Sequence, residues 1–358
     1  MEDVVSASER LRRAYAGRRV LVTGNTGFKG AWLSLWLERL GAEVTGFSDA
    51  VPTEPSHFER LGASYKTIFG DIADSAAVDA SVAEARPDIV FHLAAQSLVR
   101  RSYADPVATY RTNVIGTLTL FEAVRRTGNA TAIVSATTDK VYKNREWEWG
   151  YREVDELGGS DPYSASKSCV ELMTDSWRYA FAAERGIRIA SVRAGNVIGG
   201  GDWAEDRLIP DIVRAAFGGE TLTIRNPDST RPWQHVLDPL SGYLRVGGGL
   251  LDGEAVDEAW NFGPGAQRRI RVGDIVEELR QRLPSLRVAH VPETSGRKES
   301  GLLELDSAKA TARLGWRPVW EGEMLERTLD WYRAYYEEGR LLSAEQLDDY
   351  MRALDGAG

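Results

Sequence analysis

The stretch Arg19–Leu40 constrains the fold of this chain more than any other. Arg19–Thr23 (RVLVT) is a short aliphatic run of the kind that forms a buried strand. A glycine turn, Thr23–Gly30 (TGNTGFKG), follows at once, and Trp32, Leu33, Trp36, Leu37 and Leu40 then recur at helical spacing. Glycines 24, 27 and 30 therefore fall between a first strand and a first helix. Gly24 permits the tight turn, Gly27 lets backbone approach a pyrophosphate, and Gly30 lets the helix pack close to the strand. The helix N-terminus adds free N–H groups and a positive dipole. Gly24, Thr26, Gly27, Phe28, Lys29 and Gly30 are thus the candidate dinucleotide-binding turn.

The same texture repeats downstream. Strands are expected at Glu43–Phe47, Lys66–Phe69, Ile89–Leu93, Ala132–Ser135 and Arg188–Arg193, with helices near Ser75–Ala85, Thr109–Arg126 and Tyr163–Glu184. Strands alternating with helices long enough to return predict a parallel sheet covered on both faces, a doubly wound α/β fold. After Asn196 glycine and tryptophan become frequent. Strand Leu222–Arg225 and helices Leu208–Phe217, Val272–Arg282 and Met324–Glu338 predict a smaller mixed domain. The expected division is 1–195 for the cofactor domain and 196–358 mainly for a substrate domain, with some elements returning to the first.

Composition excludes several classes. A chain of 358 residues that is 43% hydrophobic has the core of a folded protein. Lys+Arg 44 against Asp+Glu 53 leaves a net charge of −9, which disfavours a nucleic-acid groove. The one basic stretch, Arg10–Arg19, reads as the solvated face of a short helix. Single Cys169 forms no internal disulfide and reads as a small buried side chain. His57, His92, His235 and His290 lack ligand spacing, so no metal site is expected. No apolar run reaches membrane-spanning length, and the acidic N-terminus is unlike a signal peptide. A soluble, cytoplasmic protein without membrane contact is expected.

Two clusters carry chemistry. Asp49 ends the second strand, where a carboxylate would hold ribose hydroxyls and favour NAD over NADP; a solvated loop aspartate is the other reading. Asp71 and Ile72 suit an adenine edge, and Leu93, Ala94 and Ala95 leave room across the strand ends. Tyr163 and Lys167 lie four apart on one helix face. There a lysine ammonium would lower the phenol pKa toward that of a useful base. Thr137, Thr138, Asp139 and Lys140 follow the strand Ala132–Ser135 and project toward the same carboxyl-end crevice.

TGNTGFKG, TTDK and YSASK together resemble the extended short-chain dehydrogenase/reductase family, and among its members the nucleotide-sugar 4,6-dehydratases. Gly27–Trp36, Ala94–Tyr103, Thr138–Tyr151, Gly195–Trp203 and Arg231–Tyr243 look like the CDP-glucose branch of that family. The resemblance covers about residues 18 to 335 and implies a Rossmann-type fold and an NAD cofactor reduced and reoxidised within each turnover. It implies that Tyr163, Thr138 and Lys167 serve oxidation at C4 and that Asp139 protonates the departing 6-hydroxyl. Many relatives carry glutamate where this chain has Lys140, which implies either removal of the C5 proton by Lys140 or a role in fixing Asp139. Arg231 and Asn196 would hold the diphosphate of a nucleotide sugar, with Gln96, Arg100, Arg207, Trp233 and His235 nearby. Trp147 and Trp149 fit core aromatics or walls of a binding loop. Apolar positions Leu118, Phe121, Val170, Met173, Trp177 and Phe181 imply a homodimer through paired helices, or packing inside the subunit. An epimerase or decarboxylase on a nucleotide sugar is the neighbouring reading, and Asp139 separates it from a dehydratase.

Overall fold

The computed structural model describes residues 5–182, 185–224, 226–265, 270–291 and 302–357. Its centre is a seven-stranded parallel sheet. The strands are β1 (Arg19–Thr23), β2 (Glu43–Ser48), β3 (Lys66–Phe69), β4 (Ile89–His92), β5 (Ala132–Ala136), β6 (Arg188–Ala194) and a late strand, Ala259–Phe262. They run in the order Ala259–Phe262, β6, β5, β4, β1, β2, β3, and every neighbouring pair is parallel. Strand order reverses between β1 and β4, which opens a crevice at the carboxyl ends of these two strands, where ligands bind in such sheets.

Alternation along each strand divides the core. Val20, Val22, Ile89, Phe91, Val134 and Val192 face one cluster, with Trp32, Trp36 and the helix Leu237–Asp252. Leu21, Val90, Ile133 and Ile189 face the other, with Phe121, Val124 and Trp177. This two-sided burial explains why the strands read as continuous apolar runs. The glycine-turn helix, Phe28–Arg39, is buried nearly all round, not only along the face marked by its tryptophans.

Most expected elements fall within a residue or two of their places; Lys66–Phe69, Val272–Arg282 and Met324–Glu338 coincide. The expected helix Thr109–Arg126 is instead Pro106–Tyr110, a widened π turn at Arg111–Ile115 and Gly116–Thr127. The helix beginning at Tyr163 runs Pro162–Trp177 and continues as a π turn to Ala182. Residues 183–184 and Arg225, the ends of two expected elements, lie outside the described residues. Asp161 caps that helix by accepting from the Ser164 N–H at 3.0 Å, with Pro162 preset for the first turn. The arginines 10, 12 and 13 lie on the exposed face of helix Ala7–Tyr15, as expected. Strand Ala259–Phe262, which pairs with β6, and helices Leu237–Asp252 and Ser343–Gly356 have no counterpart in the sequence reading. Among the described residues no helix is long and apolar enough to cross a membrane.

Candidate active site

The glycine turn is built by close approach of backbone to backbone. Gly24 has φ +73, and a Cβ there would lie 2.7 Å from the Ala94 nitrogen; one at Gly30 would lie 2.0 Å from the Gly24 carbonyl oxygen. At Gly27 the nearest atom would be that same oxygen at 3.4 Å, an ordinary contact, so this position has room where the other two have none. Gly27 caps the helix Phe28–Arg39 with no side-chain hydrogen bond, leaving first-turn N–H groups for a ligand. Beneath the turn, buried Asn25 donates to Thr67 Oγ1 at 2.9 Å and accepts from Ser48 Oγ at 2.8 Å. Thr26 donates to the Ala50 carbonyl at 2.7 Å. The glycines, the room at Gly27 and the bare helix end fit a dinucleotide pyrophosphate.

Residues along the crevice rim divide. Asp49 is exposed at the end of β2 and accepts from the Ala50 N–H. Asp71 pairs with Arg111 at 2.8 Å, and the Ile72 side chain is buried against Gly116. Leu93 and Ala94 donate their N–H groups to the Thr23 backbone and hydroxyl oxygens, and Ala95 follows on the same strand end. His92, below them, bridges the Thr23 and Thr117 hydroxyls at 2.7 and 2.8 Å.

The catalytic candidates converge. Thr138, Asp139, Tyr163 and Lys167 are all less than a tenth exposed. Thr138 donates to Asp139 Oδ1 at 2.9 Å and lies close enough to Tyr163 to pull its pKa down. Asp139 Oδ2 is buried and makes no hydrogen bond. Burial raises the Asp139 pKa, against the opposing pull of Lys140, Thr138, Arg231 and Lys29. Lys140 stands half-buried beside it. Gly195 makes room for both sides of this pocket, since a Cβ there would meet Pro232 at 2.5 Å and Asp139 Oδ2 at 3.1 Å.

Electrostatics differ from the sequence expectation in one respect. Burial pushes the Tyr163 phenol up to about 12, with Thr138 and Arg207 pulling it back. Lys167 does not sit against the phenol; its ammonium donates to the Ala136 carbonyl at 3.0 Å. Burial lowers Lys167 to about 8, opposed by Glu171. Lys29 is likewise lowered to about 8, first by burial and then by Arg207, with Asp139 opposing. Its electrostatic partners place it on the catalytic side of the turn.

The expected substrate residues are only partly brought together. Arg207 bonds Asp202 at 3.1 Å and Ser97 at 3.3 Å, close enough to Tyr163 to influence it. Arg231, on a short strand, donates to the Thr230 carbonyl and lies near Asp139. Asn196 offers its carbonyl to Gln234 N–H. Arg100 pairs with Asp206 at 2.8 Å.

Gln96, Trp233, His235 and Cys169 depart from expectation. The Gln96 amide is engaged by Leu98 and Thr109, within the fold. Trp233 is buried in the core. His235 is fully buried between Trp320 and Trp32, ring centroids 4.9 and 6.4 Å away, and is a core residue closed to substrate. Cys169 is half-buried rather than buried.

Trp147 stacks on Tyr151, which stacks on Tyr142, whereas Trp149 is exposed. Phe121, Val170 and Trp177 pack inside the subunit, while Leu118 and Phe181 are exposed.

A doubly wound sheet, a glycine turn and a Thr-Asp/Tyr-Lys cluster at the strand ends define a short-chain dehydrogenase/reductase. The GDP-mannose 4,6 dehydratase family model matches residues 21–328, and the chain belongs to that family. It is 47% identical to the CDP-glucose 4,6-dehydratase of Salmonella typhimurium strain LT2, over 95% of this chain and 98% of that one. A dTDP-glucose 4,6-dehydratase of Xanthomonas campestris is 28% identical over 87% of this chain and 92% of its own. Among solved structures, a Streptomyces venezuelae dTDP-glucose 4,6-dehydratase with NAD and TYD bound superposes with TM-score 0.77 at 26% identity, covering 90% of this chain and 100% of that one. An epimerase from Methanothermobacter thermautotrophicus gives TM-score 0.80 at 26% identity over 93% of this chain and 96% of its own.

Proposed function

We propose that this chain is an NAD-dependent lyase that converts CDP-D-glucose into CDP-4-dehydro-6-deoxy-D-glucose and water. The observation that carries the reading is Asp139, a buried carboxyl with raised pKa and one oxygen free of hydrogen bonds, bonded to Thr138 in the neighbourhood of Tyr163. Loss of a 6-hydroxyl needs such an acid, and oxidation and reduction at C4 alone do not. The Salmonella relative supports CDP-glucose as the substrate.

NAD bound in the crevice would supply the hydride acceptor for C4 oxidation and the hydride donor for reduction at C6. The residues of the chain do the rest. The Gly24–Gly30 turn binds the pyrophosphate, Asp49 the adenosine ribose, and Asp71–Ile72 and Leu93–Ala95 line the cofactor's path. Tyr163 takes the 4-hydroxyl proton; Thr138 holds its oxygen, and Lys167 supplies a cation one helical turn away. The resulting 4-keto group acidifies C5–H, which Lys140 removes while Asp139 protonates the leaving 6-hydroxyl. Arg231 and Asn196 clamp the diphosphate, with Arg207 beside the sugar. Residues 1–195 form the cofactor domain and 196–358 mainly the substrate domain. Exposed Tyr110, Ile115, Leu118, Leu172, Tyr179 and Phe181 support pairing of these helices in a homodimer.

Purified protein with NAD is incubated separately with CDP-, dTDP-, GDP- and UDP-hexoses and the products are weighed by mass spectrometry. Loss of one water from CDP-glucose alone is expected. Loss from another nucleotide sugar would replace the substrate, and an unchanged mass with a new epimer would replace the reaction.

A further inference from the structure

Behind the catalytic residues lies a buried ion pair to which the reaction assigns no part. Glu171 is one helical turn beyond Lys167 and two beyond Tyr163. Its Oε2 lies 2.8 Å from Arg193 Nη2 on β6, and both side chains are only 3% exposed. Glu171 also accepts from Arg193 Nε at 2.9 Å, from Ser191 Oγ at 2.7 Å and from the Thr137 hydroxyl. Arg193 Nη1 donates to the Tyr142 phenol at 2.6 Å and to the Glu153 carbonyl at 3.3 Å. Burial raises the Glu171 carboxyl, yet Arg193, Ser191 and Thr137 outweigh it and hold the group ionised.

We propose that Glu171 and Arg193 are positioning residues that grip the Thr138–Asp139–Lys140 turn at both ends and hold it in register with the Tyr163 helix. The inference rests on the roles proposed above for that turn. Thr137 immediately precedes the turn and Tyr142 closely follows it. The pair thus holds one end through Glu171 and the other through Arg193. Two further contacts from the same helix serve the same segment: Lys167 donates to the Ala136 carbonyl, and Ser168 Oγ lies 2.8 Å from the Val141 carbonyl.

A buried ion pair contributes little stability over a well-packed apolar pair. Its value here is geometric, because its polar partners flank the residues that must meet the sugar. Asp139 itself, with one unbonded carboxylate oxygen, takes its place from the chain on either side.

The grips can be cut without breaking the pair. Thr137→Val removes one hydroxyl and Tyr142→Phe the other, while Thr137→Ser restores the first. Each deletion is expected to lower kcat with CDP-glucose by roughly 10- to 100-fold, with KM held within about twofold, because displacing a reacting group by about 1 Å costs about that much. Of the displaced turn only Thr138 serves C4 oxidation, where Tyr163 keeps its place on the helix, whereas elimination depends on both Asp139 and Lys140. Elimination therefore suffers more, and the fraction of bound nicotinamide in the reduced state at steady state should rise. Backbone amide deuterium exchange over residues 138–142 should quicken in both variants, and Thr137→Ser should reverse all three effects. Wild-type kcat in both variants with only a lowered Tm would overturn the proposal, as would a kcat loss with no added reduced nicotinamide and unchanged exchange. Should wild-type protein fail to dehydrate CDP-glucose, the function reading falls, and the exchange measurement still decides the positioning claim.

Discussion

At the scale of single residues, the site works by keeping ionisable groups out of water. Asp139→Asn preserves shape and hydrogen bonding to Thr138 but removes the donated proton, so dehydration should fall by about 10²- to 10⁴-fold. C4 oxidation should survive, and reduced nicotinamide should build up on the enzyme on mixing with CDP-glucose; a variant that still releases water at the wild-type rate would remove Asp139 from the mechanism. Lys167 has a matching pH signature. Its ammonium, held on the Ala136 carbonyl one helical turn from Tyr163, is lowered to about 8 by burial, so this cation is lost as pH rises through that value. The pH profile of kcat/KM, which reports the free enzyme, should therefore fall above about pH 8. Lys29, lowered by the same cause to about the same value, sharpens that fall. A flat profile up to about pH 10, the ordinary lysine range, would show that neither ammonium matters.

At the scale of elements, legibility depended on whether local pattern or distant contact made the element. The glycine turn and β1 were readable because periodicity and glycine spacing are local signals. Strand Ala259–Phe262 (AWNF) was not, because only pairing of Ala259 with Ser191 and of Phe262 with Ala194 makes it a strand. Helix Leu237–Asp252 carries Gly247, Gly248 and Gly249, which weaken intrinsic helicity. The fold needs at least the first of them, since a Cβ on Gly247 would lie 2.4 Å from Tyr15 Oη and 2.8 Å from Phe91. His235 looked like a site residue because it is close in sequence to Arg231; only tertiary packing turns it into the core. Gly30 is the opposite case, legible and unforgiving. Gly30→Ala would drive a Cβ to 2.0 Å from the Gly24 carbonyl oxygen, where backbone must yield. The variant should lose about 1–3 kcal/mol of stability in denaturant unfolding and bind NAD weakly or not at all by equilibrium dialysis. Wild-type affinity would show that the turn does not touch the cofactor.

At the scale of the whole molecule, the fold joins distant parts of the chain through buried neutral histidines. His57 bonds Ser343 at 2.8 Å, which also takes the Trp331 indole N–H, and so ties the region after β2 to the C-terminal helices. His92 links β1 and β4 to Thr117, and His235 fills the space between Trp32 and Trp320. Burial lowers all three to about 3. In the unfolded chain they bind protons below about pH 6.5. Between those limits the unfolded state holds more protons, so stability falls with falling pH by up to roughly 1.4 kcal/mol per pH unit for each histidine. By about pH 5 the three together remove roughly 6 kcal/mol, comparable to the whole stability of an ordinary domain. Asp238 works the other way: burial raises its carboxyl to about 6, so below that pH the native state gains protons first and regains roughly 1 kcal/mol by about pH 5. Three groups outweigh one, and the protein should lose its cooperative fold between about pH 6 and pH 4.5. Denaturant unfolding at about pH 7.5, 6.5 and 5.5 measures the slope, and His57→Gln, which removes one titrating group, should reduce it by about a third. Equal stability at all three pH values would mean that the histidines are protonated in the folded protein and that the interior around them is not dry.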